Sequence, residues 1–332
     1  MKINNQKSKI RILILISGSI AAVRIPLLVS QLIKENHEVK CVLTNNATKI
    51  INPLSLSVLS RNKCFLDEDQ WSYQSSSPLH INLCDWADIV IIAPLTATTL
   101  SKWVAGNAEG LVSSILIANN NPIIVAPAMN SSMWANPSVQ ENYKQLKKYP
   151  NVLCLEPSYG LLACDHIGLG KMSPNDLIAL AIKYILLQDL PKLNDLSKKK
   201  FLITGGSTSE SIDPARRFTN NSSGTMGMLL AQTARFRGAD VTYIHGPLKI
   251  NKDLVDGIKT IEIETGLDLE IAIKKEIINC DYFFMNSAVT DVKVSQTNQS
   301  KIPKNILGNY FENNLELVPD ILKNVVPSKR ES

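Results

Sequence analysis

The sequence predicts an α/β protein built from two doubly wound, mainly parallel-sheet domains. Three observations carry this reading. Short, continuously apolar runs such as "ILILI" (12–16) and "IVIIA" (89–93) alternate with helix-length amphipathic segments. Strands without polar alternation are buried on both faces, as in a parallel sheet covered by helices. The stretch "LQDLPKLNDLSKKK" (187–200) breaks the alternation with Pro191 and charge, and a second series of the same kind begins at residue 200. Each half opens with a strand running into glycine and serine, an architectural echo without a sequence repeat.

In the first half, apolar runs place strands at 11–16, 39–43, 88–93, 122–126 and 152–155, and amphipathic segments place helices at 20–35, 47–60, 96–118 and 174–187. In the second half the same criteria give strands 200–206, 240–244, 259–265 and 281–285, helices near 224–237 and 268–278, and a last helix at 319–326. The domains are therefore drawn at 1–190 and 191–332. Folds of this class bind ligands beyond the carboxyl ends of their strands.

The chain has 332 residues, 45% of them hydrophobic and 20% charged, enough to bury two cores. Its net charge of +5 is spread out, and Lys198–Lys200 beside the linker reads as a solvated face. Nucleic acid is thus not an expected partner, whereas phosphorylated small molecules are. Six cysteines show no CxxC spacing, and several lie inside apolar strands, as expected of a reducing, cytoplasmic protein. The apolar run 12–16 is too short for a signal sequence or a membrane span.

Strand ends carry the candidate chemistry. "ISGSIAA" (16–22) joins the first strand to the first helix, and its small residues let backbone N–H groups approach a phosphate. A tight strand-to-helix turn is the alternative. "APLTATTL" (93–100) ends a buried strand at Pro94 and then offers Thr96, Thr98 and Thr99, either as ordinary helix caps or as partners for a flavin ring or phosphate. "PAMNSSMW" (127–134) follows another buried strand. Asn130 reads as a helix N-cap with Met129, Met133 and Trp134 packing behind, or as a ligand-facing amide. His80 lies in "LHINL", just upstream of the strand that ends in the threonine-rich turn, and reads either as a structural histidine or as one serving that strand end. Cys164 lies in "GLLACDHIGLGKM" (160–172), where the glycines suggest a mobile flap able to bring a thiol over a pocket, with His166 or Lys171 near it.

In the second half "GGSTSESIDPARRFTNNSSGTMG" (205–227) reads as a long polar loop. It carries Arg216 and Arg217 and ends at a helix N-terminus, which suggests anion binding. Asp291 in "NSAVTDVKV" and the later Lys301 and Lys304 suit a nucleotide with its divalent metal.

Taken in order, "GSIAA", "LHINL…WADIVIIAP", "PAMNSSMW" and "ACDHIGLGKM", then "TGGSTSESIDPARRFTNNSSGTMG", "AVTD", Lys301 and "VPDIL", resemble the bifunctional phosphopantothenoylcysteine decarboxylase/phosphopantothenate–cysteine ligases of coenzyme A synthesis. The resemblance covers nearly the whole chain. It implies a flavodoxin-like flavoprotein domain followed by a Rossmann-like ligase domain. In the first, FMN oxidises the cysteine side chain of 4'-phospho-N-pantothenoylcysteine to a thioaldehyde, carbon dioxide leaves to give an enethiolate, and reduction yields 4'-phosphopantetheine. By position His80 matches the family's active-site histidine, Asn130 the residue that holds the substrate carboxylate, and Cys164 the flap cysteine that supplies a proton. FMN would contact Gly18, Ser19, Ile20, Thr44, Thr96, Ala97, Thr98 and Thr99. "PLTATT" stands where relatives often have "PASANT", and Asp165-His166 where they usually have glycine and an acidic residue.

For the second half the resemblance implies a ligase that uses CTP and Mg2+ to activate 4'-phosphopantothenate as an acyl-cytidylate, which cysteine then attacks. Asn220 matches the asparagine associated with that intermediate and Lys301 the lysine needed to form it. Met285, Asn286, Ser287, Asp291, Lys301, Pro319, Asp320, Ile321 and Leu322 match CTP-contacting positions, while the metal ligands stay unassigned. The family's "KxKK" is here "KIPK". The chain closes on "NVVPSKRES", ahead of the "GFAAET"-like strand and lysine-rich segment of relatives, so the expectation is an intact decarboxylase half and an impaired ligase half that is less protected from hydrogen exchange. The family also implies homo-oligomers, decarboxylase trimers gathered into dodecamers with ligase domains paired. Two rival readings are a flavin decarboxylase or prenyltransferase with another substrate, and a non-catalytic regulatory flavoprotein of the same fold.

Overall fold

Strand β1 (Arg11–Ile16) is buried from Ile12 to Ile16 and forms the middle of a six-stranded sheet. Strands β2 (Glu38–Leu43), β3 (Cys64–Phe65), β4 (Ile89–Leu95), β5 (Ile123–Pro127) and β6 (Val152–Cys154) complete it in the order β3-β2-β1-β4-β5-β6. Every pairing is parallel, with Ile14 opposite Cys41 on one side and Ile91 on the other. Without the two-residue edge strand β3 the order is the flavodoxin-like 2-1-3-4-5, whose switch point lies between β1 and β4. The computed structural model describes residues 9–71, 77–187 and 193–325. By its contacts the chain forms two units, Met1–Leu193 and Asn194–Ser332. Pro191 of the expected linker and residue 326 of the expected last helix lie outside the described residues.

The helices of the first unit are α1 (Ile25–Lys34), α2 (Pro53–Ser60), α3 (Leu79–Trp86), α4 (Ala97–Val104), α5 (Leu111–Ala118), α6 (Ser131–Trp134), α7 (Pro137–Leu146) and α8 (Asn175–Leu186). Leu13, Leu15, Val90, Ile92, Ile123 and Val125 face α3, α4, α5 and α7 in one apolar cluster, while α1, α2 and α8 cover the opposite face. Burial on both faces is why these strands lack polar alternation.

Three expected helices are corrected. The segment 96–118 is two helices, because Gly106 (φ 70°) and Gly110 (φ 91°) put left-handed backbone between α4 and α5. The second helix starts where Asp67 Oδ1 accepts the Leu111 N–H at 2.8 Å. The segment 20–35 begins as a short 3-10 turn, Ile20–Arg24, before α1. The segment 47–60 begins as the 3-10 turn Ala47–Lys49, and α2 starts at Pro53 behind the N-cap Asn52. Pro26 and Pro53 lack the N–H that a longer helix would need there.

Between β6 and α8 an antiparallel hairpin, β7 (Ser158–Leu161) and β8 (Ile167–Lys171), pairs Tyr159 with Leu169 and Leu161 with Ile167. It is the ordered form of the expected flap.

In the second unit β9 (Lys200–Gly205) opens the chain's second sheet. A hairpin follows, β10 (Ser209–Asp213) and β11 (Arg216–Thr219), then α9 (Thr225–Phe236), β12 (Asp240–His245), β13 (Lys259–Glu262), α10 (Gly266–Glu276) and β14 (Tyr282–Phe284). The four-stranded sheet is parallel in the order β13-β12-β9-β14. Leu202 and Ile244 face α10 and α12 (Ile321–Val325) on one side. On the other, the Tyr243 hydroxyl donates to Gly224 O ahead of α9 at 3.1 Å. Strands β15 (Val292–Val294) and β16 (Leu315–Leu317), with α11 (Leu307–Asn314) before the latter, form a separate antiparallel pair. The stretch 205–227 is thus not one long loop, since its alternating Ser209–Asp213 and Arg216–Thr219 pair as a hairpin.

Ile14 is fully buried at the centre of the first sheet, so Ile14→Ala is expected to destabilise the first unit by about 2–5 kcal/mol. Urea unfolding of the protein measures it, and a loss below about 1 kcal/mol would contradict this packing.

Candidate functional site

The carboxyl ends of β1, β2, β4 and β5 open on a cavity of about 930 Å³. Gly18 and Ser19 after β1, Thr44 after β2, and Thr96, Ala97, Thr98 and Thr99 after β4 all line it, with His80 of α3 and Asn130 after β5. Ile20, expected with them, faces a neighbouring cavity instead and is 57% exposed. The two readings of the β4 end are both realised: Thr96 caps α4, accepting the Thr99 N–H at 3.4 Å, while the turn lines the cavity. At Gly18 a Cβ would fall 2.5 Å from Asn46 Cβ, so only glycine lets the loops after β1 and β2 meet.

The donor set fits a flavin mononucleotide. Hydroxyls of Ser19, Thr44, Thr96, Thr98 and Thr99 and the helix-start N–H groups offer partners to a ribityl chain and one phosphate, and Val112 and Met129 give apolar wall for a ring. Trp71, Asn46 and Ser113 also line the cavity and were not singled out in the sequence. The acidic run 67–69 was a usable signal, since Asp67 builds the α5 start at its rim.

A second cavity, of about 400 Å³, adjoins the first and shares Ser19, Ala128, Met129 and Asn130 with it. Asn130 caps α6 through Oδ1, which accepts the Ser132 N–H at 2.8 Å. The cap fixes the amide orientation, and Nδ2 then lies 3.2 Å from the Cys164 sulfur in the turn of the β7–β8 hairpin. The helix-cap and ligand-facing readings of Asn130 therefore describe one side chain. Cys164 is exposed to the second cavity with Leu161, Arg24 and Lys171.

Two of the hairpin glycines are set by packing, Gly168 against Ser131 and Gly170 against Met129. A Cβ on Gly170 would lie 2.2 Å from Met129 O, and Met129 N donates to Gly170 O at 3.0 Å. Asp165 takes a left-handed φ of 61°, which glycine adopts freely and Asp tolerates.

Comparison with known proteins settles the family. A model of flavoproteins matches residues 1–186, and a model of the DNA/pantothenate metabolism flavoprotein C-terminal domain matches 196–332. Over 320 residues the chain is 37% identical to the coenzyme A biosynthesis bifunctional protein CoaBC of Borreliella burgdorferi, covering 96% of this chain and 79% of that protein. The chain belongs to the CoaBC family. The Bacillus subtilis CoaBC is 34% identical over 324 residues, which are 96% of this chain and 77% of that one. Among solved structures, a cysteine-to-serine mutant of PPC decarboxylase complexed with pantothenoylaminoethenethiol is 33% identical with a TM-score of 0.50, covering 54% of this chain and 100% of that one.

In this CoaBC chain the second unit gathers another set of residues at the carboxyl ends of β9 and β14. Buried Thr204 accepts the N–H groups of Asn286 and Ser287 at 3.0 and 3.1 Å, fixing the turn after Met285. Asn220 donates to Val289 O at 2.7 Å, which holds the end of the hairpin beside that turn. Asp291, Lys301, Pro319, Asp320 and Leu322 are exposed. The Ile321 side chain packs with Leu202 and Leu269 in the core, leaving its main-chain groups for any ligand.

Arg216 and Arg217 are corrected as free anion binders. Arg217 is paired with Glu264 and donates to Ser211 Oγ at 2.8 Å, and Arg216 is paired with Asp213 at 3.0 Å. Their carboxylates had no sequence periodicity to announce them. Among the described residues no group of three or more His, Cys, Asp or Glu side chains is placed to hold a metal, and no helix is long and apolar enough to cross a membrane.

Gly170→Ala is expected to push the hairpin off Met129, separating Cys164 from Asn130. Decarboxylation should fall about 10²-fold with flavin still bound. Flavin absorbance and carbon dioxide release in the same preparation check it, and unchanged turnover would contradict the contact.

Proposed function

We propose that this protein carries out two steps of coenzyme A synthesis from pantothenate. Residues 191–332 join 4'-phosphopantothenate to cysteine using CTP, the C-terminal-domain match over 196–332 supporting an active ligase in place of the impaired one expected above, and residues 1–190 decarboxylate the resulting 4'-phospho-N-pantothenoylcysteine to 4'-phosphopantetheine with FMN. The observation that carries the reading is the 3.2 Å contact of Asn130 and Cys164 on the wall between two adjoining cavities, in a chain this similar to CoaBC. The larger cavity takes the flavin and the smaller one the substrate. The pantothenoyl ligand of the similar PPC decarboxylase structure supports that substrate class.

Bound FMN supplies a two-electron acceptor that later returns the electron pair. The protein's own residues do the rest. Asn130 presents Nδ2 to the substrate carboxylate, binding it without a positive charge that would hold back its loss as carbon dioxide. His80 acts beside the flavin during oxidation. Cys164 delivers a proton to the carbon that lost the carboxylate. Its place in a turn opposite Asn130 supports that role.

In the ligase, Lys301 assists formation of the acyl-cytidylate and Asn220 holds it, with Met285, Asn286, Ser287, Asp291 and the main chain of 319–322 around the nucleotide. Mg2+ arrives with the CTP phosphates. A homo-oligomer based on trimers is supported by apolar side chains left exposed on one side of the first unit, among them Val23, Leu27, Leu54 and Val58 at 52, 70, 67 and 67%. A cytoplasmic location is supported by six free cysteines.

The purified protein is expected to be yellow and to release FMN rather than FAD. His80→Asn and Asn130→Asp should abolish carbon dioxide release, whereas Cys164→Ser should release carbon dioxide but accumulate the unreduced enethiol. Mass spectrometry of the product decides between them. Normal 4'-phosphopantetheine from Cys164→Ser would remove Cys164 from the reaction.

A further inference from the structure

Asp213 ends β10 and its carboxylate is buried, at 3% exposed. Its Oδ1 accepts the Ala215 N–H at 2.8 Å, and its Oδ2 accepts the Ile302 N–H at 3.1 Å and lies 3.0 Å from Nη2 of Arg216. The same guanidinium donates to the carbonyl oxygen of Ile302. One ion pair therefore holds both main-chain groups of a single residue on a distant segment.

That segment, 295–303, forms no helix or strand. Ile302 is its anchor: the side chain is 2% exposed and packs on Ile212 and Val294. Lys301 precedes it, exposed to solvent, and Pro303 follows with its φ fixed by the ring. The Ile302 N–H lies in the peptide plane that begins at the Lys301 Cα, so the Asp213 bond fixes the orientation of that plane and with it one side of the Lys301 Cα. Burial pushes the Asp213 carboxyl up, but the Ala215 and Ile302 donors and the Arg216 charge outweigh it and hold the carboxyl below the usual range. A buried ion pair is a weak source of stability, because desolvation offsets the attraction. Positioning is the better account of this one.

We propose that Asp213 is a positioning residue of the ligase reaction, acting with Arg216 as a clamp on Ile302 that sets the direction in which Lys301 leaves the backbone. The inference rests on the reading of Lys301 as the lysine of acyl-cytidylate formation. It assigns Arg216 to the protein's own backbone in place of a free anion.

The test uses the full chain in three variants. Lys301→Gln should lose pyrophosphate release from CTP and 4'-phosphopantothenate. Asp213→Asn keeps the side-chain shape and should lower kcat for that release about 10²-fold while KM for CTP moves less than about threefold. Amide exchange at Ile302 should speed up about tenfold or more in the same variant. Asp213→Asn with Arg216→Gln leaves no lone buried charge and should show the same two changes, which separates lost positioning from a failure to fold. Wild-type release by Lys301→Gln would overturn the reading of Lys301 and the clamp with it. An inactive Lys301→Gln beside an Asp213→Asn with wild-type kcat, or with unchanged exchange at Ile302, would overturn the clamp alone. So would faster exchange spread over the whole of 200–325, since Asp213 would then be merely structural.

Discussion

Ser17, buried at the end of β1, donates its hydroxyl proton to Pro94 O at 2.7 Å and accepts the Thr96 N–H at 3.0 Å. Strands β1 and β4 are the pair from which the chain departs to opposite faces of the sheet, so their ends would otherwise spread apart. This one hydroxyl ties them. Gly18-Ser19 and the Thr96–Thr99 turn are thereby held across one cavity, and α4 starts with its N–H groups at that cavity's edge. Thr204 does the same in the second unit, accepting two N–H groups after β14 from its place on β9. In each unit the strand ends at the switch point are thus tied by a buried hydroxyl at or just after the sheet's first strand.

Around the first crevice, chemistry follows from how close the backbone can come. Cys164 sits on a hairpin that would swing freely if it were joined only at its ends. Its main-chain bond to Met129, and the missing Cβ at Gly170, bring it against the turn that holds Asn130. The amide that caps α6 is the amide that meets the thiol. The helix cap on one side and the main-chain bond to Met129 on the other set how the amide and the thiol face each other.

Much of this was legible in the sequence where apolar runs were continuous. The centres of β1, β2, β4, β5 and β6 were visible because burial on both faces leaves no polar residue in them, and Pro94 and Pro127 marked the strand ends that carry the site. Helix α3 was not singled out, since "LHINLCDW" is short and its apolar stripe is interrupted, although His80 within it was. The 96–118 segment looked continuous because the residues between Gly106 and Gly110 are not strongly helix-breaking; the two left-handed glycines were the signal. The hairpin in 205–227 was hidden by its polarity, since β10 buries Ser209, Glu210 and Asp213 beside its one aliphatic residue Ile212, and no residue of β11 is fully buried. Arg216 and Arg217 looked available to a ligand because their carboxylate partners are made by folding: Asp213 turns back onto Arg216, and Glu264 comes from beyond β13. Lone cations in a loop say where charge is, not whether it is already spent.

The account holds that one chain joins cysteine to 4'-phosphopantothenate and then removes the cysteine carboxyl. Cysteine labelled with 14C in its carboxyl group, supplied to the purified protein with 4'-phosphopantothenate, FMN and Mg2+, tests both halves in one vessel. Labelled carbon dioxide is expected only when CTP is present, because free cysteine is not a substrate of the flavin site until it has been joined to the pantothenoyl chain. Labelled carbon dioxide without CTP, or none with CTP while added 4'-phospho-N-pantothenoylcysteine also stays intact, would contradict it.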